Sequence, residues 1–178
     1  MLRKLEIKDA PYMYEWMKDE KVLKGLSNKF QTLTIQDCIE FIEKSQDDQS
    51  DVHRAIVNSN DEYMGTISLK HMDADRKTAE LAIVLRTEAS GGGYGRCAMR
   101  DIIAAGVHEF GLEEIYWQVL RTNDHAIGFY NHLNYKRVSS IPEHITKPYG
   151  GIHPELYYWY CATDEGENES INCYTNIL

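Results

Sequence analysis

A chain of 178 residues with 43% hydrophobic and 26% charged positions has the composition of one globular domain, too apolar to stay disordered. Nineteen Lys and Arg against twenty-eight Asp and Glu give a net charge of −9. No basic cluster exists to displace counterions from a duplex, which argues against nucleic acid as a partner. The longest apolar runs, such as residues 81–85, fall far short of a membrane span, and MLRKLEIKDA at the start carries no apolar export signal. A cytoplasmic protein without membrane attachment is therefore expected. Cys38, Cys97, Cys161 and Cys173 are scattered, and the seven His form no HExxH or paired pattern, so reduced thiols and no metal are expected.

The predicted elements follow in chain order. Residues 3–7 can make a first strand. A helix then opens with Pro11 in its first turn and Trp16 and Met17 on its apolar side. Thr34 has the character of an N-cap for a second helix, in which Ile35, Cys38, Ile39 and Ile42 recur at helical spacing until DDQSD (47–51) breaks it. Strand-like stretches cover 53–57, 63–69 and 79–85, with a hairpin connection at 58–61 and a polar link at 71–77. The glycine-rich turn SGGGYG (90–95) leads into a helix that places Met99, Ile103, Val107 and Phe110 on one face and ends at Gly111. A strand at 114–120, a helix at about 124–133 and strands at 135–138 and 156–161 complete the body. The segment 163–178, with four acids and no Lys or Arg, reads as a mobile or partner-dependent tail and leaves −5 on the body, 1–162. Helices alternating with strands around a central hairpin run indicate an α/β (α+β) sheet protein.

The strand, glycine turn and helix between Glu80 and Phe110 form the strongest local signal. Glycines let backbone approach a ligand closely, and a helix start offers free N–H groups of partial positive charge. Such a turn binds phosphates without a basic side chain. It is not a P-loop, because Arg96 and Cys97 follow Gly95 where Lys and Ser/Thr are needed. It is not a dinucleotide fingerprint either, since Gly91 and Gly93 match but Arg96 fills the last glycine position.

Ser90-Gly91-Gly92-Gly93-Tyr94-Gly95 resembles the pyrophosphate loop [QR]-x-x-G-x-[GA] of the Gcn5-related N-acetyltransferase (GNAT) superfamily, with Ser90 departing from the usual Gln or Arg. Arg86 or Arg96 could substitute for that side chain. A second region, Asn123, Ala126 and Phe129-Tyr130, is similar to the family's N-x-x-A-x-x-x-Y segment, although its usual ending is altered at His132-Leu133-Asn134-Tyr135. The N-terminal part, residues 9–17 and the helix at 34–45, resembles the ribosomal-protein and amino-sugar acetyltransferase branches. The resemblance implies a mixed sheet of about six or seven strands splayed between the fourth and fifth and flanked by helices.

It further implies an enzyme that moves an acetyl group from acetyl-CoA to a primary amine of a small molecule or protein N-terminus, by direct attack on the thioester. Backbone of Ile83, Val84 and Leu85 would pair with pantetheine, and Ser90, Gly91, Gly92, Gly93, Tyr94, Gly95 and Arg96 would cradle pyrophosphate. Asn123 would bond cofactor amides, cap the helix after it, or do both. Tyr130 is the implied general acid, or else a core aromatic beside Phe129. Glu80 is the implied base acting through water, or else a surface strand glutamate. His71, Asp73 and Asp75 are weaker bases, and His53 reads as a satisfied core or rim histidine. The acidic body favours a cationic amine. The aromatic groups Tyr12/Tyr14/Trp16 and 157–160 could line an acceptor pocket or simply fill core, and alternation allows at most one face of 157–160 to do the former. A homodimer is compatible with the resemblance. The alternative reading is a catalytically weak acyl-CoA-binding or regulatory module.

Overall fold

The computed structural model describes residues 1–26, 30–48, 50–147 and 156–163. Residues 148–155, nearly all within the stretch expected as a loop at 142–154, and residues 164–178, with Cys173 and nearly all of the expected tail, lie outside the described residues. Seven strands form one sheet: β1 (Leu2–Lys4), β2 (Val52–Val57), β3 (Tyr63–Asp73), β4 (Thr78–Leu85), β5 (Glu114–Leu120), β6 (Arg137–Val138) and β7 (Tyr157–Thr163), in the order β1-β2-β3-β4-β5-β7-β6. Every neighbouring pair is antiparallel except β4 and β5. The helices are α1 (Ala10–Trp16), α2 (Glu20–Leu23), α3 (Ile35–Asp47), α4 (Tyr94–Phe110), α5 (Asp124–His132) and α6 (Glu143–Thr146).

The parallel β4–β5 pairing sets the shape of the molecule. It covers Thr78 with Glu114, Ala79 with Ile115 and Glu80 with Tyr116, then stops, although β4 continues to Leu85 and β5 to Leu120. The sheet therefore forks just past Glu80 and Tyr116. Beyond the fork the inner edges of β4 and β5 no longer hydrogen-bond each other, which leaves backbone groups there in need of partners. This is the splay between the fourth and fifth strands that the sequence led us to expect.

Alternation along the strands divides the core in two. Ile67, Leu69, Ala79, Leu81, Ile115, Trp117 and Tyr160 point to the α4 side and pack with Ala98, Met99 and Ile102. Ala55, Val57 and Tyr63 face α1 and α3, meeting Met13, Trp16, Cys38 and Ile42. A smaller cluster of Tyr116, Trp159 and Ile145 lies under α6. Helix α3 begins with a reciprocal cap, in which the Asp37 amide donates to Thr34 Oγ1 at 3.3 Å and the Thr34 amide donates to Asp37 Oδ2 at 2.7 Å. Gly111, at φ 66, closes α4 as expected.

Several expectations shift in detail. The first strand is residues 2–4, with Leu5 already turning into the core. Strand β3 runs on to Asp73, so residues 71–73 belong to it instead of the polar link. The buried face of α4 is Gly95, Ala98, Met99, Ile102, Ile103 and Gly106; Val107 is only half-buried and Phe110 is exposed. The strand expected at 135–138 shrinks to two residues, and α2 and α6 had no sequence signal.

The core is rich in buried phenols, which sets its response to alkali. Burial pushes the Cys161 thiol up to about 11 and the Tyr135 phenol up to about 12, and it raises Tyr63, Tyr116 and Tyr130 as well. In the unfolded chain these groups ionise at their ordinary values, whereas in the folded chain they stay neutral. Stability is thus held at neutral pH and drains away as pH rises past those ordinary values. Unfolding midpoints measured from about pH 8 to about pH 11 should be flat at first and then fall steeply; a midpoint insensitive to alkali would contradict this burial.

Candidate active site

The fork opens into a cleft of about 1090 Å³. One wall is the β4 end, Ile83–Leu85, and another is the glycine turn with the first turn of α4. The third is α5 with Asn123, Phe129 and Tyr130, and residues 21–26 of the α2 region close the fourth side. Every cofactor residue expected from the sequence lies on these walls: Ile83, Val84, Leu85, Ser90, Gly91, Gly92, Gly93, Tyr94, Gly95, Arg96 and Asn123. Tyr130 joins them, while Glu80 does not.

The glycine turn is built to let something large come close. Gly91 and Gly93 have φ 79 and 75, and a Cβ added to either would meet nothing within 4 Å. Gly93 is also the N-cap of α4 and supplies no capping side chain, so the first amides of the helix are open toward the cleft. Gly95 serves packing instead: its Cβ would come within 3.2 Å of both Leu85 Cδ1 and Phe129 Cζ. That close approach draws α4, β4 and α5 together around the cleft.

Charge around the cleft opposes that of the whole chain. Lys21, Lys24, Arg86 and Arg96 line it with His125 and His132, and Asp124 is the single acid among the described lining residues. Arg86, one stand-in considered for the missing Gln or Arg at position 90, turns away from the glycine turn. Its Nη1 donates to the Tyr63 carbonyl at 3.1 Å, its Nη2 to Glu15 Oε1 at 2.8 Å, and its guanidinium lies over the Tyr12 ring. Arg96, in the first turn of α4, is left as the arginine beside the turn.

Asn123 caps α5, with Oδ1 accepting from the Ala126 amide at 3.1 Å, and its Nδ2 donates to the Gly25 carbonyl at 3.3 Å. A Cβ at Gly25 would stand 2.4 Å from that Nδ2, so glycine is what lets residues 21–26 reach across to α5. This wall was missed from sequence, because a single glycine after a short polar helix carries no sign of its distant partner.

Tyr130 is 5% exposed, with its ring against Trp117, Tyr135, Tyr160 and Phe129 at centroid distances of 5.6, 6.4, 5.0 and 5.2 Å. Among the described residues its hydroxyl is bonded to no protein group. Burial holds the phenol above its ordinary pKa, so it stays protonated at neutral pH.

Glu80 sits in the last β4–β5 pair, at the apex of the fork, on the sheet face away from α4. It is 3% exposed; its Oε2 meets His71 Nδ1 at 3.1 Å and its Oε1 accepts from Lys70 Nζ at 3.4 Å. His53 is a satisfied buried histidine, its Nδ1 2.8 Å from Ser68 Oγ. Asp73 pairs with Arg76 in the turn after β3, away from the cleft. Residues 157–160 lie off the cleft walls, with Tyr158 and Tyr160 in the α4-side core and Tyr157 and Trp159 under α6.

The acetyltransferase (GNAT) domain model matches residues 1–136, which is most of the chain and includes β1 through α5. The chain belongs to the GNAT acetyltransferase family. It is an acetyl-CoA-dependent N-acetyltransferase. The uncharacterized N-acetyltransferase p20 of Bacillus licheniformis is 27% identical over 139 residues, spanning 76% of this chain and 78% of that protein. Among solved structures, the spermidine N-acetyltransferase of Vibrio cholerae in complex with CoA and spermine superposes with a TM-score of 0.74. It is 15% identical and covers 93% of this chain and 95% of that one. A probable acetyltransferase gives a TM-score of 0.73 at 17% identity, with 92% of each chain covered. At such identities the likeness is one of fold. No helix among the described residues is long and apolar enough to cross a membrane.

The geometry of the GNAT turn gives a direct prediction. Gly93→Val forces a β-branched residue into a left-handed backbone, at a cost of roughly 1–2 kcal/mol, and projects its side chain from the cradle. Relief of that strain moves the turn out of the shape that receives the ligand, so calorimetric titration should find acetyl-CoA binding weakened about tenfold or more. Unchanged affinity would mean that this turn does not hold the pyrophosphate.

Proposed function

We propose that this acetyltransferase acetylates a primary amine of a small, cationic, polyamine-like molecule. The observation that carries the reading is the fork: a sheet edge freed past Glu80, faced by an uncapped helix start on one side and Tyr130 on the other. The net charge of −9 and the fold shared with a spermidine N-acetyltransferase support a cationic acceptor.

In this mechanism the amides of α4 and the turn at 90–95 bind the pyrophosphate, with Arg96, Lys21 and Lys24 adding positive charge. The backbone of Ile83, Val84 and Leu85 pairs with pantetheine and polarises the acetyl carbonyl. Asn123, already a cap, adds a cofactor amide contact. Glu80 takes the ammonium proton through water, and the free amine attacks the thioester carbon. As the tetrahedral intermediate collapses and the C–S bond breaks, Tyr130 gives its proton to the leaving thiolate.

The test is thiol release from acetyl-CoA with spermidine, glucosamine and a short basic peptide bearing a free N-terminus, with products weighed by mass spectrometry. Release with spermidine, giving a product heavier by one acetyl group, is expected. Release with the peptide alone would move the acceptor to protein N-termini. Binding without release for any amine would favour the acyl-CoA-binding module instead.

A further inference from the structure

The face of β3 that meets Glu80 carries a residue that ordinary alternation would place elsewhere. Ile67 and Leu69 point to the α4 side, while Ser68 and Lys70 point to the Glu80 side. By that alternation His71 belongs on the α4 side. Instead the β3–β4 register shifts between Lys70 and Asp73, His71 adopts φ 51, and Met72 takes the α4-side position. The ring of His71 is thereby swung onto Glu80, Nδ1 to Oε2 at 3.1 Å. The His71 amide donates to Asp51 Oδ1 at 2.8 Å, which pins the turned backbone. Bulges re-aim side chains, and a left-handed non-glycine residue is strained unless its surroundings hold it there. The His71 side chain is 39% exposed and that of Glu80 only 4%, so the pair joins a buried carboxylate to solvent.

Resting on Glu80 as the base of the proposed function, we propose that His71 is the residue through which Glu80 discharges the substrate proton to solvent. Glu80 receives the ammonium proton through water and becomes a carboxyl group. In its Nε2–H tautomer the His71 ring takes that proton at Nδ1 and restores the carboxylate. The imidazolium then loses its Nε2 proton to bulk water, so one proton passes from amine to solvent per turnover, and exchange of the remaining ring proton with solvent restores the starting tautomer. Lys70, from β3, holds Glu80 from its other oxygen, and Tyr116 stands opposite in β5 with its hydroxyl given to Glu114.

The test compares His71→Asn with Glu80→Gln and the parent protein in the thiol-release assay with spermidine, glucosamine and the basic peptide. Asn tolerates the left-handed backbone and is polar, but it has no basic nitrogen to take a proton; His71→Gln is the second variant should Asn fail to fold. We expect kcat to fall about tenfold or more, KM for acetyl-CoA to stay unchanged, and added imidazole to restore much of the rate. Normal kcat in a folded His71 variant, or a loss that imidazole does not relieve, overturns the inference. If Glu80→Gln turns over normally, the base assignment itself fails and this inference with it. A slow Glu80→Gln beside a normal His71→Asn overturns the His71 role alone. No thiol release from the parent protein with any acceptor contradicts the proposed function and both roles together.

Discussion

Tyr130→Phe should lower kcat about 100-fold while leaving acetyl-CoA affinity and the unfolding midpoint close to those of the parent protein. The substitution keeps the ring and its contacts with Trp117, Tyr135 and Tyr160. It removes a hydroxyl that no described protein group uses, so no buried partner is stranded. What it takes away is the proposed proton donor on the cleft wall. Because burial keeps that phenol protonated at neutral pH, it is poised to donate to a thiolate and is a poor base. Steady-state kinetics beside a calorimetric titration separates the two quantities. Unchanged kcat with intact binding would assign Tyr130 to packing alone.

Trp117→Ala should have the largest effect on stability, about 3–5 kcal/mol. Trp117 is 1% exposed and stacks on Tyr160 at 5.8 Å, with Tyr135 edge-on at 4.9 Å and Tyr130 at 5.6 Å. Removing the indole leaves a cavity bordered by three phenols that have no short path to close it. Denaturant unfolding should show a much lower midpoint. The surviving folded protein should also turn over more slowly, since Tyr130 loses the ring that sets its position. Trp117→Phe is expected to be far milder, because among the described residues the buried Trp117 Nε1 has no hydrogen-bond partner and its removal strands none of them. A stability loss in Trp117→Ala no larger than that of a surface substitution would contradict the aromatic core described for α5 and β7.

These two expectations draw on different levels of the sequence. The cleft was legible because its chemistry is local: residues 80–110 spell strand, glycine turn and helix without outside help, and Asn123 to Tyr130 repeat a family spacing. The structure places both stretches on the walls of one cleft. The buried face of α4 was read correctly at Met99 and Ile103 but not along its whole length, because the other contacts that define it involve small residues. Gly106 lies so close to β5 that its Cβ would stand 2.7 Å from Ile115 Cδ1, yet glycine adds nothing to a hydrophobic pattern. Val107 and Phe110 gave the stronger signal and are not the buried positions. The α2 wall and the Asn123–Gly25 bond join residues 98 apart, a relation no local pattern encodes. His71 is a third case: a polar stretch read as a link is the end of a strand, and one turned residue within it carries a ring to Glu80.

The claim on which the rest depends is that the forked cleft is the acetyl-CoA site, and thermal unfolding with acetyl-CoA, CoA, ATP or NAD in large excess tests it most directly. A ligand at about one hundred times its dissociation constant adds ~2.7 kcal/mol, which for a chain of this size raises the midpoint by roughly 5–10 °C. A rise with acetyl-CoA and CoA, absent with ATP and NAD and diminished in Gly93→Val, is the predicted result. A rise with ATP or NAD alone, or with none of the four, would contradict it.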